Sequence, residues 1–315
     1  MQAPGHTRIF PDRTVAGREL AAALAKRRYA APPLVLGLPR GGVPVAPQAR
    51  PQPTAAACLP DTLSASQLEA LRACPYRFFA RAVLRLDEAE ELEAGLDKRD
   101  YGTWLHAVLH HFHAARQPGD AAAALQEAAT AVTRASDLDE ADLLPYRTSF
   151  EVFAPAYLDW LAAREAQGWS WADGESDHVI APPELAGLRL RGRIDRLDRG
   201  PGARRQLLDY KTSSVASLRQ RVREPLEDTQ LAFYAALLGA DEQLGAAYLA
   251  LDDAHAPVPI EHADVQRSAA ALLAGLGGEW QRLRAGAALP ALGEGAVCDT
   301  CEARGLCRRD HWSGP

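Results

Sequence analysis

The period of the apolar pattern changes near residue 188, and that change constrains the fold more than any other feature of the chain. Before it, apolar positions recur at helical spacing. The clearest case is Leu105, Val108, Leu109 and Phe112, which stand at i, i+3, i+4 and i+7 within a helix expected over Gly102–Arg116. From Leu188 to Ile194 apolar and basic residues instead alternate, as they do in a strand with one buried face. Gln206–Lys211 has the composition of a second strand, and the glycine-rich Arg199–Ala203 between the two suits a hairpin turn. Further helices are expected over Gln67–Leu86, Ala121–Ala135, Tyr146–Gln167, Glu227–Leu238 and Val265–Ala285, with a third strand over Ala246–Leu251. Helix, hairpin, helix and strand in this order predict a mixed α/β core.

With 315 residues, 47% apolar and 24% charged, the chain has room for one large or two modest buried cores. No apolar run approaches the roughly 18 residues of a membrane span. The N-terminus lacks the pattern of a secretion signal, so the expected place is the cytoplasm. The net charge of −6 does not advertise a nucleic-acid binder. Such binding needs only local basic surface, however, because salt screens charge beyond about 8–10 Å. Arg77, Arg81 and Arg85 stand at i, i+4 and i+8, a basic helix stripe that is either a DNA-backbone track or a solvated face. Arg189, Arg191 and Arg193 alternate outward on the first strand and are the other candidates. No Gly-x4-Gly-Lys-Ser/Thr loop occurs, so ATP hydrolysis by this chain is not expected.

Two carboxylates fall on the neighbouring strands, Asp195 closing one and Asp209 late in the next. Lys211, two residues on, shares the face of Asp209. These types suit phosphodiester hydrolysis: carboxylates hold a hard cation such as Mg²⁺, and a lysine orients water and offsets negative charge. The plain alternative is that Asp195 pairs with Arg193 or Arg196, and that Asp209–Lys211 is a surface ion pair. His106 lies beside the apolar stripe of its helix, as a metal ligand or a core histidine. Gln230 and Tyr234, four apart, share a helix face, so one can order the other.

Taken together, these residues carry a resemblance. Gly192-Arg193-Ile194-Asp195-Arg196 and, with thirteen residues between the aspartates, Asp209-Tyr210-Lys211-Thr212 resemble the nuclease core of RecB and AddB in the PD-(D/E)XK superfamily. Tyr101–His106 looks like that family's metal-binding helix, and Thr229–Tyr234 like its Gln-x-x-x-Tyr helix. The resemblance implies a restriction-endonuclease-like mixed sheet flanked by helices. It further implies Mg²⁺ or Mn²⁺ held by His106, Asp195, Asp209 and the Tyr210 carbonyl, with Lys211 catalytic. Gln230 and Tyr234 would support the site and contact DNA. An acid before the first strand is also implied, and Asp173, Glu175 and Asp177 align equally well. The activity expected is a DNA nuclease, with exonuclease action preferred, in double-strand break repair and recombination beside a helicase subunit of an AddAB-like complex. The rivals are a stand-alone nuclease of the Cas4 group that trims DNA ends, and a non-catalytic DNA-binding module on the same fold.

Of five cysteines, Cys298, Cys301 and Cys307 crowd into ten residues, while Cys74 lies in Cys74-Pro75-Tyr76-Arg77-Phe78-Phe79 and Cys58 stands apart. Four thiolates suit zinc or an iron–sulfur cluster, and spacing alone does not choose. The AddB-like resemblance implies a [4Fe–4S] cluster on Cys74, Cys298, Cys301 and Cys307, with zinc second, as a structural staple of the domain.

Residues 1–46 carry a different likeness. Phe10-Pro11-Asp12-Arg13 and Leu36–Val45 resemble the start of a phosphoribosyltransferase, but without that family's later acidic run and phosphate loop. The expected organisation is a non-functional fragment over 1–46, a proline- and alanine-rich linker over 47–62, and a nuclease domain over 63–315.

Overall fold

The computed structural model describes residues 48–86, 98–117, 119–136, 144–251 and 256–312, with isolated positions at 15, 18, 19, 22 and 26. Positions 15, 18, 19 and 22 are helical. The rest of the phosphoribosyltransferase-like segment over 1–46 lies outside the described residues. The chain divides into two units, residues 51–303 and residues 1–50 with 304–315.

The first unit is built on one mixed sheet. Strand β2 (Ser170–Ile180) runs antiparallel along one edge of β3 (Arg189–Arg199). The other edge of β3 is shared. The short β1 (Thr62–Leu63) pairs parallel with Arg189 and Leu190, and β4 (Arg205–Lys211) pairs antiparallel from Arg196↔Leu208 to Arg199↔Arg205. Between Leu190 and Arg196 no described strand pairs on that side, so the sheet has a gap in its middle. Strand β5 (Leu244–Ala250) runs parallel to β4, and β6 (Val258–Glu261) closes that edge antiparallel.

Helices cover both faces. On one, α3 (Lys98–Ala115), α4 (Ala121–Ala135) and α5 (Leu144–Ala166) bury Leu105, Val108, Leu109 and Phe112 against Tyr210 and Leu249 of the sheet. On the other, α6 (Val215–Arg221), α7 (Gln230–Leu238) and α8 (Val265–Arg284) pack on Leu207, Ala246, Tyr248 and Ala250. The alternation of Tyr210 and Leu249 with Leu207 and Tyr248 is the period of two that sends neighbours to opposite faces. A third apolar cluster joins α1 (Ala65–Ala73) to α8 around Phe78 and Trp280.

Ser64 caps α1 in a reciprocal capping box with Gln67. The single helix expected from Gln67 to Leu86 is broken: Cys74 is extended, and Pro75 opens a new helix α2 (Pro75–Phe78) that widens into a π-turn over Phe79–Val83. A proline at a first helical position has no N–H to lose, which makes it a starter and not a continuation. The segment expected to be a linker is in part ordered. The Pro51 and Pro53 carbonyls accept bonds from Ala291 N at 3.0 Å and Leu289 N at 2.7 Å, and Ala55 is buried. Proline lacks a donor but keeps its acceptor, so a proline-rich run can still line another strand on one side.

In the second unit, Gln48 bridges Trp312, Arg50 lies over the Trp312 ring, and Trp312 Nε1 donates to the carbonyl of Cys307, the last residue of α9 (Arg304–Cys307).

Candidate active site

The gap in the sheet is where the candidate residues collect. The β3–β4 ladder stops at Arg196↔Leu208, and beyond it the strands splay. Tyr210 N, left without a backbone partner from β3, donates instead to Asp195 Oδ2 at 2.8 Å. His106 on α3 brings Nδ1 to 3.5 Å from the same oxygen and forms a hydrogen bond to the backbone of Tyr210. Glu175 on β2 is the third member. Its φ of +47° is left-handed, in a strand between the pairs Gly174↔Arg196 and Ser176↔Ile194. A non-glycine residue there stores strain of order 1–3 kcal/mol, and the local kink turns its carboxylate into the site. One donor atom each from His106, Glu175 and Asp195 lies within 4.8 Å of the other two, the one such group among the described residues. Asp173, one of the two other acids that aligned, bonds its neighbour Gly174 N, and Asp177 pairs with Arg191 and Arg193.

The electrostatics suit a cation. Burial pushes the Asp195 carboxyl well above the usual carboxylate range, and the charges of Asp209 and Glu175 add to this while Lys211 opposes it. Burial likewise raises Glu175. His106 is pushed down to about 4, chiefly by burial, so it is a neutral imidazole at neutral pH. One nitrogen and two carboxylate oxygens are donors suited to Mg²⁺ or Mn²⁺. No thiolate is among them.

Asp209 is 2% exposed and its Oδ2 pairs with Lys211 Nζ, which also lies 5.5 Å from the Tyr248 ring centre. Asp209 thus acts on Asp195 and Glu175 through its charge, while its side chain is turned to the lysine, one of only three in the chain. Asp195 bonds neither Arg193 nor Arg196. On α7, Gln230 Nε2 donates to the Tyr234 hydroxyl at 3.2 Å, the pairing their spacing predicts. Burial and then the charge of Asp209 raise the Tyr234 hydroxyl.

Two supporting networks were not singled out from the sequence. Asp228 Oδ1 accepts from the Tyr248 hydroxyl at 2.6 Å and from Gln230 N at 2.9 Å, and Arg221 pairs with its other oxygen. This ties the start of α7 to the ring beneath Lys211. Behind the site, Arg196 is 1% exposed and donates to Asp198 at 2.7 Å and to the Tyr157 hydroxyl at 2.9 Å, with His113 at 2.8 Å. Arg164 holds the other Asp198 oxygen at 2.5 Å. The Tyr210 hydroxyl bonds both Tyr157 and Arg196, so the network ends on the residue whose backbone meets Asp195 and His106. Of this network the sequence displays only Arg196 and Asp198, two apart and so on one face of the strand; Arg164 comes from α5.

The arginine stripe does not survive as one. Arg77 and Arg81 both pair with Glu302, at 3.1 and 2.8 Å, and Arg85 lies past the π-turn with φ +56°. The wider π-turn shifts the helical register and ends the helix before Arg85, so i+8 no longer falls on the same face. Cys74 is buried, and Leu292 N approaches its sulfur at 3.5 Å. Burial raises the Cys301 thiol, and Cys74 is among the charges it feels. Cys298 Sγ donates to Glu294 O. Cys307, in the other unit, donates to Arg304 O.

Comparison with known proteins gives one family. No curated protein matches the chain. A solved structure from Eubacterium rectale, described as a candidate exonuclease, is 12% identical and covers 81% of this chain and 90% of its own, with a TM-score of 0.45. The sequence model of the PD-(D/E)XK nuclease superfamily matches residues 62–308, from the first strand of the sheet to the cysteine-rich end. A restriction-endonuclease-like sheet with helices on both faces is that superfamily's fold, and metal-dependent cleavage of nucleic acid is its chemistry. The chain therefore belongs to the PD-(D/E)XK nuclease superfamily.

Proposed function

We propose that the chain is a Mg²⁺- or Mn²⁺-dependent DNA nuclease of the AddB/RecB type, acting as an exonuclease in double-strand break repair and recombination. The observation that carries the reading is the convergence of His106, Glu175 and Asp195 beside the Asp209–Lys211 pair. His106, Glu175 and Asp195 would hold the cation, with Asp209 and the Tyr210 carbonyl as further ligands. A bound divalent cation polarises the phosphate and acidifies the attacking water. Lys211, on the same strand face as Asp209, would position the water and offset the charge gathering on phosphorus. The water oxygen bonds to phosphorus, the bridging P–O bond breaks, and the departing oxygen takes up a proton. Tyr234, held by Gln230, orients the strand at this point.

The test is cleavage of end-labelled single-stranded and duplex DNA, wild type against Lys211→Ala, with Mg²⁺ and with chelator. Wild type should cut only with the metal, and the variant should be slower by about 10²–10³. Equal rates would defeat the mechanism, and binding without cleavage would make the chain a scaffold.

The resemblance of the cysteine segments supports a [4Fe–4S] cluster on Cys74, Cys298, Cys301 and Cys307. The assignment rests on that resemblance: among the described residues these sulfurs do not form a converging donor group as His106, Glu175 and Asp195 do. Zinc is the second choice. An anaerobic preparation should be brown and carry iron and sulfide, whereas stoichiometric zinc would overturn the assignment. The AddB resemblance also supports a helicase partner. No described helix is long and apolar enough to cross a membrane.

A further inference from the structure

Two of the three converging donors stand against one glycine. Gly174 on β2 precedes Glu175 in the chain and lies against the main chain of Asp195 on β3. A Cβ at this position would meet the Asp195 carbonyl oxygen at 3.0 Å, Trp171 Nε1 at 3.1 Å and His110 Nδ1 at 3.4 Å. These walls come from β3, β2 and α3, and they leave residue 174 no room for a side chain. The first wall is main chain. The second is fixed because the Trp171 indole stacks on the His113 ring, 6.0 Å between centres and 11° from parallel. The third is a buried nitrogen with no hydrogen-bond partner, held against the strand by packing. The strand itself is bent here. Its register slips between Trp171 and Asp173, Gly174 N donates to Asp173 Oδ1 at 2.9 Å, and Glu175 takes φ +47°. Between the pairs Gly174↔Arg196 and Ser176↔Ile194 this bend sets Glu175 opposite Asp195, where one oxygen of each lies within 4.8 Å of the other.

A side chain at 174 would press on the backbone of Asp195 and lever Glu175, the next residue, away from it. We propose that Gly174 is a positioning residue of the cation site: its bare backbone lets the Glu175 and Asp195 carboxylates meet at the spacing of one small divalent ion. The proposal rests on the nuclease reading, whose ion these carboxylates would hold, and adds a residue that offers no donor of its own. It also predicts a preference among ions. Mg²⁺ demands near-octahedral ligands at about 2.0–2.1 Å, whereas Ca²⁺ accepts variable geometry at about 2.3–2.6 Å. Ligands displaced by a few tenths of an ångström therefore penalise Mg²⁺ more than Ca²⁺.

The experiment titrates the chelator-treated full chain calorimetrically with Mg²⁺ and with Ca²⁺, in wild type, Gly174→Ala and Gly278→Ala. Gly278, exposed on α8 with nothing within 4 Å of an added Cβ, is the control. Gly174→Ala should weaken Mg²⁺ binding about tenfold or more and Ca²⁺ binding by at most about threefold, while Gly278→Ala changes neither. A role in folding alone would lower both affinities together and leave their ratio as it was. If Gly174→Ala does not fold, Gly174→Ala with Trp171→Leu takes its place. That pair removes the indole from the methyl's path and keeps the Asp195 carbonyl in it, so the same change of ratio is expected. Unchanged Mg²⁺ affinity, or an equal loss for both ions, would overturn the positioning role. Cleavage of DNA by the wild type in Mg²⁺ is scored separately. A wild type that neither binds an ion nor cuts removes the nuclease reading and this proposal together. A wild type that cuts, beside a Gly174→Ala variant with its ion preference intact, removes the positioning role alone.

Discussion

Asp195 carries an electrostatic penalty whose sign can be measured. Its carboxyl is raised, first by burial and then by Asp209. In the metal-free protein its contribution to stability is therefore present below the ordinary aspartate value of 3.8 and lost as pH rises through the higher folded value. His106 runs the other way: with its value pushed down to about 4, it adds stability as pH rises from there to 6.5. At neutral pH only the carboxylate penalty remains, and a cation should relieve it. Asp195→Asn is thus expected to raise the melting temperature of chelator-treated protein at neutral pH and to abolish the rise that Mg²⁺ gives the wild type. A wild-type-sized Mg²⁺ shift in the variant would show that the ion binds elsewhere. Most of these residues were singled out because their segments resemble the nuclease core, and strand and helix periods add only that Asp209 with Lys211, and Gln230 with Tyr234, share a face. Glu175 was one of three candidates, since Asp173, Glu175 and Asp177 alternate along one segment. A left-handed backbone angle, which the sequence does not display, decided among them.

At the scale of elements, β4, β5, α4 and α8 lie close to where their patterns put them, whereas β3 runs on past Asp195, expected to close it, as far as Arg199, and β2 was not anticipated at all. Ser170–Ile180 is half-exposed along most of its length and holds one fully buried position, so it has no apolar alternation to read. Tertiary pairing with β3 makes it a strand. The break at Cys74–Pro75 and the π-turn after it were likewise hidden inside what reads as one helix. The buried network behind β4 gives the element-scale prediction. Tyr210→Phe keeps the ring but removes the hydroxyl that bonds Tyr157 and Arg196. Leaving a buried cation short of a partner should cost about 1–3 kcal/mol in urea unfolding. Because Tyr210 N and the His106 contact are set by this ring's position, the Mg²⁺ concentration for half-maximal cleavage should also rise. A stability loss with an unchanged Mg²⁺ requirement would mean that the network holds the fold without positioning the site.

Across the whole molecule, composition pointed to an ordinary globular protein, and the net charge of −6 hid the local convergence of an imidazole and two carboxylates. The proline-rich segment after residue 47 reads as a linker because proline donates no hydrogen bond, yet its carbonyls are used by residues 289 and 291. The long-range tie between α2 and the cysteine-rich end, Arg77 and Arg81 on Glu302, has no local signature either. If a cluster closes that same long loop, cluster-loaded protein should melt above chelator-stripped protein, and the difference should vanish in Cys74→Ser. A difference that persists in the variant would remove Cys74 from the ligand set.

The most direct measurement for the metal-dependent site is a crystal soaked in Mn²⁺ and read by anomalous scattering. One strong peak bonded to His106, Glu175 and Asp195, with Asp209 turned toward it and away from Lys211, is the expected result. A peak held by other residues, or three side chains that remain without one at saturating Mn²⁺, would contradict it.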